Sequence, residues 1–211
     1  KRYLLVDTAG IRRNRLLKEN VDHVSVVLAK RSLERAEVAV LVLDAAEGLR
    51  EMDATIGGYV ADAGRAVVLA VNKWDLKDEL GLKQRQFEEG LRERLKFLPF
   101  ASVVYVSARS GKGLATLLQE AQRARESWQR RVTTGELNRL LAQLQRKQAP
   151  KAKGAHAVTI LFGAQIGTAP PTFALSINHP VDLHFSYLRY VENQIRERFG
   201  FEGTPIVLKV R

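Results

Sequence analysis

Over the first 127 residues, short apolar runs alternate with amphipathic stretches. Tyr3-Leu4-Leu5-Val6, residues 38–43, Val67-Val68-Leu69-Ala70-Val71 and Val103-Val104-Tyr105-Val106 are continuous and apolar, the pattern of strands covered on both faces. Helix-period segments lie between them. Residues 21–34 carry the stripe Val24, Val27, Leu28, residues 53–63 run up to Gly64, a usual helix terminator, and residues 83–96 present Phe87, Leu91 and Leu95. Residues 114–125 complete the set. Strand and helix in alternation predict an α/β, doubly wound parallel sheet.

The rhythm changes after residue 126. Residues 126–132 are charged, carry Trp128 and read as a connector. Thr133 and Glu136 form a capping box ahead of a helix whose stripe is Leu137, Leu140, Leu141 and Leu144. A basic turn (148–154) leads to a strand at 157–162 and a bend through Gly163, Gly167, Pro170 and Pro171. A strand at 172–178 follows, then a helix at 186–199 that buries Leu188, Val191, Ile195 and Phe199 and stops at Gly200, then a strand at 205–210. The order α-β-β-α-β predicts a small α+β module, so the expected domains are 1–127 and 133–211.

Composition narrows the classes. With no cysteine, disulfides and thiolate chemistry are excluded, and the four His are scattered without zinc spacing. No apolar run approaches the roughly 18 residues of a membrane span, and no secretory signal follows Lys1, so a cytoplasmic protein without a membrane partner is expected. Net charge is +11 and uneven: residues 1–120 carry 20 basic and 17 acidic groups, residues 121–211 carry 14 and 6. The excess of +8 in the C-terminal part points to a polyanion such as RNA, the plain alternative being a basic surface kept for solubility.

The chemistry sits at the strand ends. Asp7-Thr8-Ala9-Gly10 follows the first run: its Asp suits Mg²⁺, directly or through water, and its Gly lets a backbone N–H approach a terminal phosphate. Asn72-Lys73-Trp74-Asp75 follows the central run. The Asp75 carboxylate can accept two parallel N–H bonds from guanine, a geometry adenine lacks, while Lys73 lays its stem over the base and Asn72 ties loops together. Ser107-Ala108 follows the next strand and offers the Ala108 N–H to the guanine keto oxygen. In this order and spacing the three motifs read as a GTPase using GTP/GDP and Mg²⁺. Asp44 also ends a strand and is expected to cap the next segment rather than bind a second metal.

These stretches, with VSARSGKGL, ELNRLL, GTAPPTF and HFSYLRYVENQIRERFGFEGTPI, resemble the EngA (Der) family of tandem-G-domain GTPases over essentially the whole chain. The resemblance implies a P-loop GTPase-type sheet, here the second G domain from its DTAG motif onward, followed by a KH-like domain. It further implies a role in assembly of the large ribosomal subunit, with its rRNA and an upstream G domain of the same chain as partners and no DNA.

Two departures qualify this. No GxxxxGK(S/T) phosphate loop occurs. In such a sheet its strand lies between those ending at Val6 and Leu43, so a gap is expected there, and the chain reads as part of a longer one, inactive by itself. The KH-like module lacks a GxxG clamp, since no Gly lies between Gly167 and Gly200. Its candidate RNA contacts are Arg139 and Arg146 on one helix and Arg189 and Arg196 on the other, each pair expected on a solvent face; charges that merely solvate a helix are the alternative. Ile11 stands where many small GTPases carry a water-orienting Gln, and no catalytic residue is assigned. The alternatives are a non-catalytic RNA- or ribosome-docking fragment, and a single-G-domain, KH-tailed GTPase of the small subunit.

Overall fold

The computed structural model describes residues 2–6, 32–150, 158–178 and 183–211. In the first unit, β1 (Val38–Asp44), α1 (Glu51–Asp62), β2 (Ala66–Asn72), α2 (Gln84–Arg94), β3 (Ser102–Tyr105) and α3 (Leu114–Trp128) follow in order. The strands form a parallel sheet, β1-β2-β3. The unbroken apolar run of β2 has the burial it requires, with residues 66–71 wholly out of solvent. On one face Val67, Leu69 and Val71 pack with Leu41, Leu43, Val60, Leu91 and Leu95. On the other, Ala66, Val68 and Ala70 pack with Val104, Ala124 and Trp128. β2 is thus covered on both faces as its unbroken run predicts, whereas β1, read the same way, is covered on one face only.

Two further expectations in this unit fail. Tyr3–Val6 is not a strand: Leu4 and Leu5 are 87% and 91% exposed, and the Tyr3 hydroxyl reaches Gln122 at 3.5 Å. A strand forms only where a neighbour takes its N–H and C=O groups. Among the described residues β1 pairs with β2 alone, leaving its other edge open. Val40 and Val42 are correspondingly exposed, as are Leu114 and Leu118 of α3. The connector at 126–132 is the second failure. The helix continues to Trp128, which is 5% exposed and donates its indole N–H to the Gly64 carbonyl at 2.8 Å. Trp128 is therefore core, not linker.

The second unit comprises α4 (Thr134–Lys147), β4 (Ile160–Gly167), β5 (Thr172–Ile177), α5 (Phe185–Phe199) and β6 (Val207–Val210). β4 and β5 are antiparallel, β5 and β6 parallel. Both halves of the capping box form: the Glu136 N–H reaches Thr133 Oγ1 at 3.3 Å, and the Thr133 N–H reaches Glu136 Oε2 at 3.4 Å. All four leucines of the α4 stripe are buried, and α5 buries Tyr187, Val191 and Ile195, with Leu188 and Phe199 only partly covered. β4 starts and ends later than its pattern suggests. Gly163 lies mid-strand, paired with Leu175, rather than in a bend, and it is glycine because a Cβ there would sit 2.4 Å from Leu141 Cδ1 under α4. The open edge of β4 is closed by amide side chains from α4. Asn138 exchanges two bonds with the Gly163 backbone (2.8 and 2.9 Å), and Gln145, two turns on, does the same with Ile160 (3.0 and 2.7 Å).

The units are joined at the N-terminal end of the first sheet. Gly203, with φ +67°, sits between the start of β2 and the lead into β3: its carbonyl accepts from Val67 at 2.7 Å and its N–H donates to the Phe100 carbonyl at 2.8 Å. A Cβ on Gly203 would lie 2.6 Å from the Ala124 Cβ. Ala169 donates to the Trp128 carbonyl at 2.9 Å, and the Ser127 hydroxyl to Gly200 at 3.2 Å. Gly203→Ala should therefore destabilise the protein by at least about 2 kcal/mol, combining left-handed strain with overpacking. Gly58→Ala, with open space around its Cβ, should be neutral or stabilise by up to about 1 kcal/mol. Urea denaturation of the two variants checks the contrast.

Candidate nucleotide-binding site

Parallel strands deliver their following loops to one edge, and β1, β2 and β3 end together there. Backbone bonds lace the three ends. Ala45 donates to the Asn72 carbonyl (2.9 Å), Val106 to Val71 (2.8 Å) and Trp74 to Val106 (3.1 Å). The chain leaves β2 through Lys73, held at φ +62°, and enters a one-turn 3₁₀ helix over Trp74–Leu76. Trp74 anchors that turn by lying 4.3 Å from the Tyr105 ring and edge-on to Phe87 at 5.6 Å. The Tyr105 hydroxyl, pushed up to about 12 chiefly by burial and further by Glu88, stays protonated.

Asp75 projects from this turn into solvent. Hydrogen bonding from the Ser107 side chain, and then the Arg109 cation, hold its carboxyl below the usual range, so it is an anionic acceptor at neutral pH. Ser107 is 2% exposed and fixed by the loop after it: its N–H donates to Lys112 (2.9 Å), while its carbonyl accepts from Gly111 (2.9 Å). Gly113 closes that loop at φ +83°, where a Cβ would meet the Tyr105 carbonyl at 2.3 Å. The structure thus brings Asn72, Lys73, Asp75, Ser107 and Ala108 to one edge. One detail differs from expectation. The Ala108 N–H already donates to Asn72 Oδ1 at 2.9 Å, so this pair ties the two loops, and a keto oxygen would share that donor.

Asp7 and Gly10, which carry the expected phosphate and Mg²⁺ contacts, lie outside the described residues, as do Ile11 and nearly all of the helix expected at 21–34. Among the described residues no cluster of His, Asp and Glu could hold a metal ion. Asp44 does cap, accepting from the Ala46 N–H at 2.9 Å, and its other oxygen forms an ion pair with Lys73 Nζ at 2.6 Å. That pairing was not legible in the sequence, where the two residues are far apart; the shared register of the strand ends creates it.

Of the four arginines singled out, Arg139, Arg146 and Arg189 are exposed. Arg196 is not on a solvent face. Its side chain, 17% exposed, pairs with Glu192 at 3.0 Å, donates to the carbonyls of Phe201 and Thr204 (2.7 Å for the latter), and lies 5.1 Å over the Phe100 ring of the first unit. Burial pulls its pKa down against the opposing pull of Glu192. The turn after α5 folds back over this last helical turn, so Arg196 is part of the junction. Arg198 is exposed instead, and with Lys147 it lines a shallow groove between α4 and α5.

A parallel sheet with such loops at its carboxyl edge is an α/β arrangement of the GTPase type. The family model described as the elongation factor Tu GTP binding domain matches residues 20–127, and the model described as the KH-domain-like C-terminal part of EngA bacterial GTPase enzymes matches residues 131–211. The chain is 44% identical over 209 residues to GTPase Der of Geotalea uraniireducens, covering 99% of this chain and 47% of that protein. It is 38% identical over all 211 residues to GTPase Der of Caldanaerobacter subterraneus, covering 48% of it. A crystal structure of Era with MgGDPNP and a 16S ribosomal RNA segment covers 90% of this chain and 69% of its own, at 21% identity and a TM-score of 0.40, a match too loose to bear on function. The chain belongs to the EngA (Der) GTPase family, and it spans about half the length of the curated relatives it matches.

Trp74→Ala should lower stability by about 2–3 kcal/mol, since it removes a half-buried ring and its two aromatic neighbours' packing. Trp74→Phe should recover most of that loss in the same urea titration.

Proposed function

We propose that this chain is the base-recognition and docking half of a GTPase that acts in assembly of the large ribosomal subunit, with GTP/GDP and Mg²⁺ as ligands. The convergence of Asn72, Asp75 and Ser107-Ala108 at one sheet edge carries the nucleotide part of this reading. Asp75 would accept the N1–H and 2-amino N–H of guanine together; adenine offers a lone pair at N1 and no 2-amino group. Lys73 would lay its stem along the base. The phosphates and Mg²⁺ fall to Asp7, Gly10 and a phosphate loop that this sequence does not contain, for which a segment upstream, with its own G domain, is the natural source. Mg²⁺, when bound, neutralises phosphate charge. Residues 1–127 and 133–211 serve as the G-domain and KH-like units, and rRNA is the macromolecular partner.

The +8 excess of residues 121–211 and the exposed Arg139, Arg146 and Arg189 support the RNA part. Neither a membrane nor DNA enters this reading, and among the described residues no helix is long and apolar enough to cross a membrane. A second reading, a docking module without nucleotide chemistry, draws on the missing GxxxxGK(S/T) loop.

In the full-length protein, Asp75→Asn should weaken GTP and favour xanthosine triphosphate, because the amide replaces one acceptor by a donor. Competition binding with both nucleotides measures this, and unchanged base selectivity would remove the assignment. Replacing Arg139, Arg146, Arg189 and Arg198 by Gln should weaken rRNA binding and flatten its log–log salt dependence by about 0.7–0.9 for each phosphate no longer neutralised. Coincident slopes for wild type and variant in a filter-binding series would rule out this surface as the RNA contact.

A further inference from the structure

We infer that Asp44 is a positioning residue for guanine-nucleotide binding, holding the Lys73 ammonium so that the Lys73 stem is already laid out where a base would stack. The inference rests on the nucleotide reading above. Asp44 is the last residue of β1 and stands in register with Asn72, while the next residue, Ala45, donates to the Asn72 carbonyl at 2.9 Å. Its Oδ1 accepts from the Ala46 N–H (2.9 Å) and its Oδ2 pairs with the Lys73 ammonium (2.6 Å), while the Glu47 backbone adds a further bond to the carboxylate. A cap alone would need the backbone bonds but not the ion pair.

Lys73 is the residue that turns the chain out of β2, in a left-handed conformation uncommon for any residue but glycine. Its four-carbon stem has many rotamers, and stacking it on a base would ordinarily surrender that freedom at the moment of binding. Tying the tip to Asp44 surrenders it beforehand. The side chains are 50% (Lys73) and 25% (Asp44) exposed, so as an ion pair alone the contact adds little to folding. Its effect therefore belongs to binding more than to stability.

Asp44→Asn separates charge and positioning from the Ala46 cap bond, since it keeps the Oδ1 acceptor and loses the ion pair, and the melting temperature reports any other loss of the cap. By Coulomb attraction alone, deleting a negative charge near an anionic ligand would tighten binding; positioning predicts the opposite sign. The full-length protein is titrated with a fluorescent methylanthraniloyl-GDP, any second guanine site being silenced in its own base-recognition loop. Asp44→Asn should bind about fivefold more weakly, on the scale of one exposed ion pair. The melting temperature of the nucleotide-free protein should stay within about 2 °C of wild type. In a Lys73→Met background the same change should alter affinity by less than about 1.5-fold. Unchanged or tighter binding, an equal loss in the Lys73→Met background, or a loss matched by a fall in melting temperature overturns the inference. If the wild type itself fails to bind GDP, the functional reading falls and this inference falls with it; if it binds and Asp44→Asn binds equally, only the inference falls.

Discussion

Every residue of β2 from Ala66 to Val71 is out of solvent, and a strand so placed must hand each backbone group to a neighbour. β1 serves one side along the full length. β3 serves the other only from Val68 onward, since it starts at Ser102. The Val67 N–H would be left unpaired on that side, at a depth where an unmet donor costs about 1–3 kcal/mol. Gly203 meets it, reaching in from the second unit and bonding Phe100 with its own N–H. The central strand of the first unit is thus completed by a residue of the second, and its other end delivers Asn72 and the loop that bears Asp75.

The remaining junction contacts gather around that bridge. Trp128 brings the end of α3 against Gly64, just ahead of β2. Arg196 fills the space between Phe100 and the turn that carries Gly203, satisfying carbonyls on that turn. A side chain that helical spacing alone assigns to RNA is instead part of the joint between the units.

Much of this was legible in the sequence, and the failures share a cause. The unbroken β2 run, the Thr133–Glu136 capping box and the α4 leucine stripe are local signals, and each appears as read. The loops that bear Asn72, Asp75 and Ser107 were legible for the same reason: each follows its strand directly. What misled depended on a distant neighbour. Tyr3–Val6 has strand composition but no partner among the described residues. Gly163 resembles a turn residue until α4 is laid over it. Arg196 keeps a seven-residue spacing from Arg189, yet it is held by the turn after α5 and by Phe100 of the other unit. Asp44 and Lys73 meet only because two parallel strands end in register.

The Gly203 bridge bears on how the chain can be divided. Separating 1–127 from 133–211, the division that composition recommends, would remove the partner of Val67, take Pro170 from Gly64 and Arg196 from Phe100, and detach the Trp128 end of α3. The first unit would keep its loops and lose the closure of its central strand. The second unit is therefore not a portable tail that could be grafted or exchanged at will. Recombination between relatives at that boundary would succeed only where the incoming loop brought its own glycine to the same gap.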